Sequence, residues 1–164
     1  MNKNIFLILC ALPAFFAGCA SYRPTLAVDS LPAANYNLAK NTKVSNSETV
    51  RSGDGVWVKG LDEWEGEISG IAKPESKFSK LQIGLREDDV VKFLGKADDR
   101  TFRISGKAFI PLYMGSGRSN VEAIYNGQGR LIYSRGGGSD HHMYLTWIIH
   151  NENEFYSPAK DAKQ

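Results

Sequence analysis

The stretch VEAIYNGQGRLIY, residues 121–133, decides the fold class of this chain. Two largely apolar runs, 121–125 and 130–133, flank the tetrapeptide NGQG. Asparagine followed by glycine between two such runs is a strong hairpin signal, because both residues tolerate the left-handed backbone of a tight turn. The stretch therefore predicts two antiparallel strands, and neighbouring segments are expected to complete a sheet.

Other short segments have the composition of strands. Pro111 indicates that the segment containing it forms a sheet edge or a strand end, because proline has no backbone N–H to donate. The remaining segments alternate polar and apolar residues or lie between glycines. The predicted strands are residues 56–59, 66–71, 101–104, 108–113 and 144–150.

Two short helices are predicted ahead of the hairpin. Pro74 and Glu75 suit the start of the first helix, Phe78 and Leu81 share one of its faces, and Gly84 can end it. The second helix covers residues 87–94 and begins with three acidic residues, which favour the positive end of a helix dipole. Its buried side is predicted to hold Val90, Val91 and Leu94, and Gly95 follows as a C-cap.

Residues 76–135 resemble the SmpA/OmlA (BamE-like) family of small lipoproteins. The resemblance rests on LQIGL at 81–85, DDVVKFLGKAD at 88–98, and the hairpin runs EAIY at 122–125 and GRLIY at 129–133. It implies an α+β fold in which two short helices pack on a small antiparallel β-sheet, here with extra N-terminal strands. The family also implies a role in outer-membrane assembly or integrity. Residues 53–156 are the predicted SmpA/OmlA-like domain, and 157–164 a disordered tail.

The N-terminus has the features of an exported lipoprotein. Lys3 precedes the uncharged run IFLILCALPAFF at residues 5–16, which is too short to cross a bilayer and fits a signal peptide. FAGC at residues 16–19 resembles a bacterial lipobox, in which a diacylglycerol is attached to the cysteine. The sequence thus predicts a signal peptide over 1–18 and acylation of Cys19. The alternative is an ordinary secretory signal cleaved near Gly18, which would leave a free thiol.

Acylation would place the mature protein at a membrane without a disulfide. Cys10 would leave with the signal, and Cys19 is the only other cysteine of the chain. Ala20 stands where aspartate commonly retains Gram-negative lipoproteins at the inner membrane, so the outer membrane is expected, with the domain facing the periplasm. Residues 19–52 are rich in Asn, Ser, Thr and Ala and predict a flexible tether. Ordering of this segment on a partner is the alternative.

Composition and motifs exclude several function classes. The 20 basic and 18 acidic residues give a net charge of +2, without the basic excess of a nucleic-acid binder. GSGRS at 115–119 lacks the pattern of a nucleophile elbow, and GGG at 136–138 lacks the lysine of a phosphate-binding loop. No catalytic residue and no cofactor is therefore predicted.

A metal site is the alternative for the histidines near the last strand. His141 and His142 are adjacent, and neighbouring side chains of a strand point to opposite faces, so they cannot easily share an ion. His142 and His150 have the same parity but lie about 26 Å apart in an extended strand. Surface histidines are the preferred interpretation, and no metal is predicted.

Aromatic residues are more numerous in the strand regions than one buried sheet face requires. The last strand is apolar on both predicted faces, with Leu145, Trp147 and Ile149 on one side and Tyr144, Thr146 and Ile148 on the other. Either a second layer, for which residues 53–71 are the candidate, covers the outer face, or that face binds a partner. The aromatic residues are Trp57, Trp64, Phe109, Tyr113, Tyr125, Tyr133, Tyr144 and Trp147.

Two function classes remain open. The first is a non-enzymatic envelope lipoprotein that docks on another envelope protein through Tyr113, Met114, Arg118 and Tyr144, which mix aromatic, apolar and cationic character. The alternative for the two tyrosines is that they complete the core. The second class is a binder of a small ligand, a lipid or a cell-wall fragment, in an aromatic cleft formed by Tyr113, Tyr133 and Trp147.

Overall fold

The computed structural model describes residues 42–104, 115, 117 and 119–157. Within these residues, six strands form one sheet in the order β1-β2-β6-β5-β4-β3. Neighbouring strands are antiparallel except β2 and β6, which run parallel. The strands are β1 (Val56–Lys59), β2 (Glu65–Ser69), β3 (Asp99–Ile104), β4 (Ser119–Tyr125), β5 (Gly129–Arg135) and β6 (Met143–His150).

The helical content of the described residues is small. Helix α1 (Glu87–Leu94) lies between β2 and β3 along the chain. Single 3-10 turns occur at Ser47–Thr49, Leu61–Glu63 and Lys77–Lys80. The predicted second helix is thus confirmed with the bounds expected for it, and Gly95 ends it at a φ of 94°.

The predicted hairpin is confirmed as β4 and β5. Tyr125 pairs with Gly129 across the turn, and Gly127 takes a φ of 72°, which suits glycine. Gly129 has a φ of 131° and lies against β6, where an added Cβ would come within 1.9 Å of the carbonyl oxygen of Ile149. The turn therefore needs glycine at this position for both conformation and space.

One face of the sheet, called here the helix face, carries the core. Val90 of α1 is fully buried on it, whereas Val91, predicted to be buried, is 39% exposed. Phe78 and Leu81 pack beside the helix. The other core residues are Ile68, Ile83, Leu85, Val121, Ala123, Tyr125, Leu131, Tyr133, Leu145 and Ile148.

The prediction of two helices on a small antiparallel sheet is wrong. The expected first helix is the 3-10 turn Lys77–Lys80, which Ser76 caps by accepting from the N–H of Phe78. Phe78 and Leu81 are three residues apart, a spacing that a single 3-10 turn satisfies as well as an α-helix. The chain then extends along β6, where Gly84 donates to Leu145 and Leu145 donates to Leu85, each at 2.8 Å.

Residues 53–71 do not form a second layer over the sheet. They supply β1 and β2, which extend the sheet sideways because β2 pairs in parallel with β6. Of the two alternatives for the outer face, cover by this segment is therefore wrong. The face opposite the helix, called here the outer face, carries Trp57, Trp147 and Ile132 in its cross-strand register.

Because β6 contains a β-bulge, its side chains do not alternate strictly between the two faces of the sheet. The register shifts between Ile132 and Tyr133, so that Ile132 pairs with Trp147 and Tyr133 with Leu145. Thr146 is the extra residue of the bulge. Leu145 and Ile148 consequently share the helix face, whereas strict alternation had predicted opposite faces for them.

Residues ahead of β1 also contact the sheet. Ser47 is buried and donates to Glu154, and Glu48 pairs with Arg130 at 3.3 Å. Asn151 donates to the Ser47 hydroxyl at 2.9 Å. Part of the stretch predicted as a tether, residues 42–52, thus lies against one end of the outer face.

Several predictions concern residues that the structure does not describe. These are the signal peptide 1–18, Cys19, the first part of the tether, the strand 108–113 with Pro111, and the tail beyond Ser157.

Candidate functional site

A groove of about 890 Å³ lies on the outer face, between β1 at one side and β5 at the other. All three tryptophans of the chain, Trp57, Trp64 and Trp147, line it. Trp57 is 60% exposed, an unusual position for so large an apolar side chain. The groove therefore presents exposed aromatic surface in a concave setting, the usual form of a ligand site.

Cross-strand register places two of the tryptophans in one row. Trp57 of β1 pairs with Glu67 of β2, and Glu67 pairs with Trp147 of β6. Because neighbouring strands are about 4.8 Å apart, the backbones carrying Trp57 and Trp147 are separated by about 9.5 Å. Ile132 of β5 continues the row beyond Trp147.

The carboxylate between these tryptophans is fully engaged with the protein. Glu67 is 2% exposed and accepts from the backbone N–H groups of Gly53 and Gly55 at 2.9 and 2.7 Å. The hydroxyls of Ser52 and Ser69 donate to it at 3.2 and 3.4 Å. Glu67 thus fixes the loop before β1, which includes the groove-lining Ser52. Four donors on a buried carboxylate satisfy its charge.

The orientation of the tryptophan rings is set by neighbouring groups. Trp147 donates from Nε1 to the Ser69 hydroxyl at 2.9 Å, in the same cluster that holds Glu67. Trp64 stacks on Tyr144, with ring centroids 4.7 Å apart and an angle of 20° between the planes. Tyr144 in turn donates its hydroxyl to Asp140 at 2.7 Å. Both indoles are therefore held in place before any ligand arrives.

Polar side chains form the part of the groove floor beside Trp147. The Ser134 hydroxyl donates to Asn120 Oδ1 at 3.2 Å and lies 3.0 Å from the hydroxyl of Thr146. Thr146 also donates to the carbonyl oxygen of Ile132 at 3.2 Å. This chain of hydroxyl and amide groups offers both donors and acceptors to a bound molecule.

The described lining is acidic. Asp62, Glu63 and Glu65 stand at one side, and no lysine or arginine occurs among the described residues that line the groove. Asp62 and Glu63 have φ values of 50° and 62°, which are uncommon for residues other than glycine. The turn at Leu61–Glu63 thus holds two carboxylates at the groove edge in a left-handed conformation that L-residues disfavour.

The predicted docking residues are not brought together within the described structure. Tyr113, Met114 and Arg118 lie outside the described residues, as does Cys19. Tyr144 is 7% exposed and lies beneath the ring of Trp64. This position agrees with the alternative interpretation, in which Tyr144 packs within the protein. Of the predicted cleft of Tyr113, Tyr133 and Trp147, Tyr113 lies outside the described residues. Tyr133 is buried on the helix face and Trp147 lies on the outer face, so these two do not share a cleft.

The histidines are dispersed. His142 lies 2.9 Å from a guanidinium nitrogen of Arg86, and His141 contacts Arg135. His150 packs edge-on against Phe78, and burial lowers its pKa to about 4. Among the residues that the structure describes, no group of three or more histidine, cysteine or carboxylate side chains is placed to hold a metal ion.

Asp140, next to these histidines, supports the loop before β6. Burial opposes its ionisation, but hydrogen bonds from the His142 N–H and the Tyr144 hydroxyl lower its pKa overall. Its carboxylate therefore stays charged and holds the ring on which Trp64 stacks.

A second exposed apolar region lies on β3. Phe102 and Ile104 are 55% and 62% exposed, and β3 is an edge of the sheet as described. Their cross-strand partners are Val121 and Ser119, so this region belongs to the helix face rather than to the groove. The two exposed regions are therefore on opposite sides of the sheet.

Comparison with protein-family models, curated proteins and solved structures finds no match. The resemblance to SmpA/OmlA lipoproteins accordingly stays a prediction from the sequence. In the described part of the chain, no helix is long and apolar enough to cross a membrane.

Proposed function

We propose that this protein is a non-enzymatic, lipid-anchored binding module of the bacterial cell envelope, and that the outer-face groove is its recognition site. The observation that carries the proposal is the placement of all three tryptophans on that groove. A large exposed indole loses contact with water when a ligand covers it, and burial of such a ring contributes strongly to binding.

The construction of the groove supports binding rather than catalysis. Glu67, the carboxylate buried within it, already accepts from four donors of its own chain. Its oxygens are thus engaged in holding the loop before β1, which is a structural role. The rings of Trp64 and Trp147 are likewise held by Tyr144 and Ser69, which favours binding because little ordering remains to be done.

The proposed anchor at Cys19 would determine where in the cell this binding site lies. Acylation of the cysteine would restrict the domain to the layer next to a membrane, which we propose is the periplasmic side of the outer membrane. Confinement raises the local concentration of a partner held in the same layer, so weak contacts in the groove become sufficient.

Docking on another envelope protein is the second candidate function. The observation that favours it is the exposed pair Phe102 and Ile104 on β3, which is the outermost strand at that side of the sheet among the described residues. An edge strand with apolar side chains can extend a sheet with a strand of a partner. Tyr113, Met114 and Arg118 stay predictions for the same role.

Photo-crosslinking in intact cells tests both candidates. A photoreactive amino acid is placed at position 57 in the groove, at 102 on β3, or at 155 as an exposed control; Phe155 is 72% exposed and does not line the groove. Adducts with an envelope component from position 57 alone support the groove as the recognition site. Protein adducts from position 102 alone favour docking at β3. Equal yields from all three positions contradict a specific site.

A further inference from the structure

We infer that the groove binds an extended β-1,4-linked glycan of N-acetylated hexosamines, the chemistry of the bacterial wall glycan. This inference rests on the proposed function, because it names the ligand class of the same site. The spacing of the tryptophans, the polar floor and the charge of the lining each support it.

The spacing of the strands that carry Trp57 and Trp147 is close to the repeat of such a glycan. Trp57 and Trp147 are on strands separated by β2, at a backbone distance of about 9.5 Å across the sheet. An extended β-1,4 chain turns each sugar over relative to its neighbour, so every second sugar presents the same face at nearly this interval. The two indoles can therefore stack on the like faces of alternate sugars, while the sugar between them spans Glu67.

The groove floor complements the polar rim of a sugar. Asn120, Ser134 and Thr146 supply hydroxyl and amide groups beside Trp147, and Ile132 offers an apolar surface at the same place. A hexosamine carries hydroxyls at its edge and one acetamido group with a methyl. The hydroxyl protons of Ser134 and Thr146 are given to Asn120 and Ile132, so their oxygens can accept from sugar hydroxyls while the NH₂ group of Asn120 can donate.

The charge of the lining separates the glycan from other envelope ligands. Asp62, Glu63 and Glu65 stand at the groove edge, where Lys59 lies 3.9 Å from Glu65, and the described lining itself has no cationic side chain. Phospholipid headgroups and other phosphate-bearing ligands need cationic partners, which the described lining of the groove does not supply. Sugar hydroxyls and acetamido N–H groups need none and can donate to an acceptor such as the carboxylate of Glu63. A cationic peptide is the remaining ligand compatible with the charge, and the test below separates it from the glycan.

Titration of the purified full-length chain with chitotetraose, the soluble β-1,4 tetramer of N-acetylglucosamine, tests the inference by tryptophan fluorescence. We expect saturable quenching, and binding weaker by about tenfold or more in Trp57→Ala and in Trp147→Ala, because each removes one stacking surface. Phe155→Ala removes an exposed aromatic ring that does not line the groove and is expected to bind as the parent does. Circular dichroism melting verifies that each variant is folded, and Trp57→Ala, altered at an exposed position, keeps the test valid if Trp147→Ala unfolds.

Two comparison ligands make the result specific. Maltotetraose, whose α-1,4 linkages curve the chain, is expected to bind at least about tenfold more weakly, and a tetralysine peptide is expected not to compete. Failure of chitotetraose to bind, or equal binding of maltotetraose, overturns the inference. Displacement by tetralysine with no effect of Trp57→Ala also overturns it and indicates a cationic ligand.

Isolated cell-wall sacculi identify the source of the glycan. Co-sedimentation that Trp57→Ala abolishes supports the wall; binding of chitotetraose without co-sedimentation supports the glycan class and overturns the wall as its source. The proposed function and the glycan inference can fail independently. If position 57 gives adducts in cells but the purified protein does not bind chitotetraose, the groove remains a recognition site and only the glycan is overturned. If position 57 gives no adducts and chitotetraose does not bind, both are overturned.

Discussion

The guanidinium of Arg130 and the carboxylate of Glu154 join β5 to the segment after β6, with Nε donating to Oε1 at 2.8 Å. Their side chains are only 12% and 4% exposed. Arg130 also pairs with Glu122 at 2.9 Å and with Glu48 at 3.3 Å. One arginine therefore compensates carboxylates from three parts of the chain, including the segment ahead of β1 that was predicted as tether.

Replacing this arginine should strongly destabilise the fold. Arg130→Ala leaves the carboxylates of Glu122 and Glu154 poorly solvated and unpaired, and we expect the free energy of unfolding to fall by about 3–5 kcal/mol. Urea denaturation measures this loss. The matched control is Arg103→Ala, because Arg103 pairs with the same Glu122 at 3.0 Å but is 69% exposed. Its cost should be about 0–1 kcal/mol. Equal costs would show that burial of the Arg130 cluster is energetically unimportant.

Helix α1 provides two adjacent valines that differ chiefly in burial. Val90 is fully buried and Val91 is 39% exposed. Val90→Ala removes two buried carbon groups and leaves a cavity, so we expect a loss of about 2 kcal/mol in unfolding free energy. Val91→Ala should change it by no more than about 0.5 kcal/mol, since alanine has the better helix propensity. Chemical denaturation of both variants measures the two losses. A larger loss for Val91→Ala than for Val90→Ala would contradict this packing.

Local elements of this fold could be predicted from the sequence because their signals are local. The turn NGQG and its flanking runs occupy thirteen consecutive residues, 121–133, and they fold as β4 and β5. The acidic first turn of α1 and Gly95 at its end are equally close in sequence. Phe78 and Leu81, predicted to share one face of an α-helix, are both buried, but the helix prediction is wrong because the segment is a 3-10 turn.

Long-range pairing could not be predicted in the same way. The parallel contact of β2 with β6 joins Ile68 to Ile148, and nothing near either residue specifies the other. The bulge at Thr146 also escapes pattern analysis, because a single extra residue reverses the alternation beyond it. The sequence identifies the three tryptophans as aromatic residues of strand regions, but it does not show that they line one groove, because that depends on this register. For Glu67, the only sequence feature that could have indicated a role in the groove is a carboxylate within a strand-like segment, which is a weak signal.

The carboxylate of Glu67 organises the groove, and its charge should matter more than its size. In Glu67→Gln, one oxygen becomes an NH₂ group facing backbone donors such as the N–H of Gly55. We expect a loss of about 1.5–3 kcal/mol in unfolding free energy, the range for hydrogen bonds to charged groups. Thermal and urea unfolding measure it. Glu65→Gln, two residues earlier on an exposed side chain, should stay within about 0.5 kcal/mol of the parent.

The lipid anchor is predicted from sequence and has a direct test. Cys19→Ala should abolish incorporation of labelled fatty acid and release the protein from the membrane fraction, because the thiol of the lipobox-like FAGC stretch is removed. Cys10→Ala should retain the label, since Cys10 belongs to the predicted signal peptide. Metabolic labelling followed by membrane fractionation gives both readouts. Full labelling of the Cys19 variant would disprove the anchor.

The buried imidazole of His150 should make the domain lose stability in mild acid. Burial against Phe78 lowers its pKa to about 4, whereas an unfolded histidine titrates near 6.5. Between these two values the unfolded state binds the additional proton, so the free energy of unfolding decreases as the pH falls through this window. The expected loss by pH 5 is about 2 kcal/mol, and it should approach about 3 kcal/mol near pH 4. Urea denaturation at pH 7, 6 and 5 measures the slope.

A variant without the titrating group isolates this effect from the carboxylates. His150→Leu keeps an apolar side chain next to Phe78 and removes the imidazole, so its stability should change little between pH 7 and 5, whatever its absolute value. Glu152 pairs with Lys43 and Lys73, which lower its pKa to about 2. Its contribution to the free energy of unfolding is therefore lost only as the pH falls below the range in which an unfolded carboxyl titrates. The window above pH 5 therefore belongs to histidine. An unchanged slope in His150→Leu would assign the acid sensitivity to another group, with the exposed His141 and His142 as the remaining histidines of the chain.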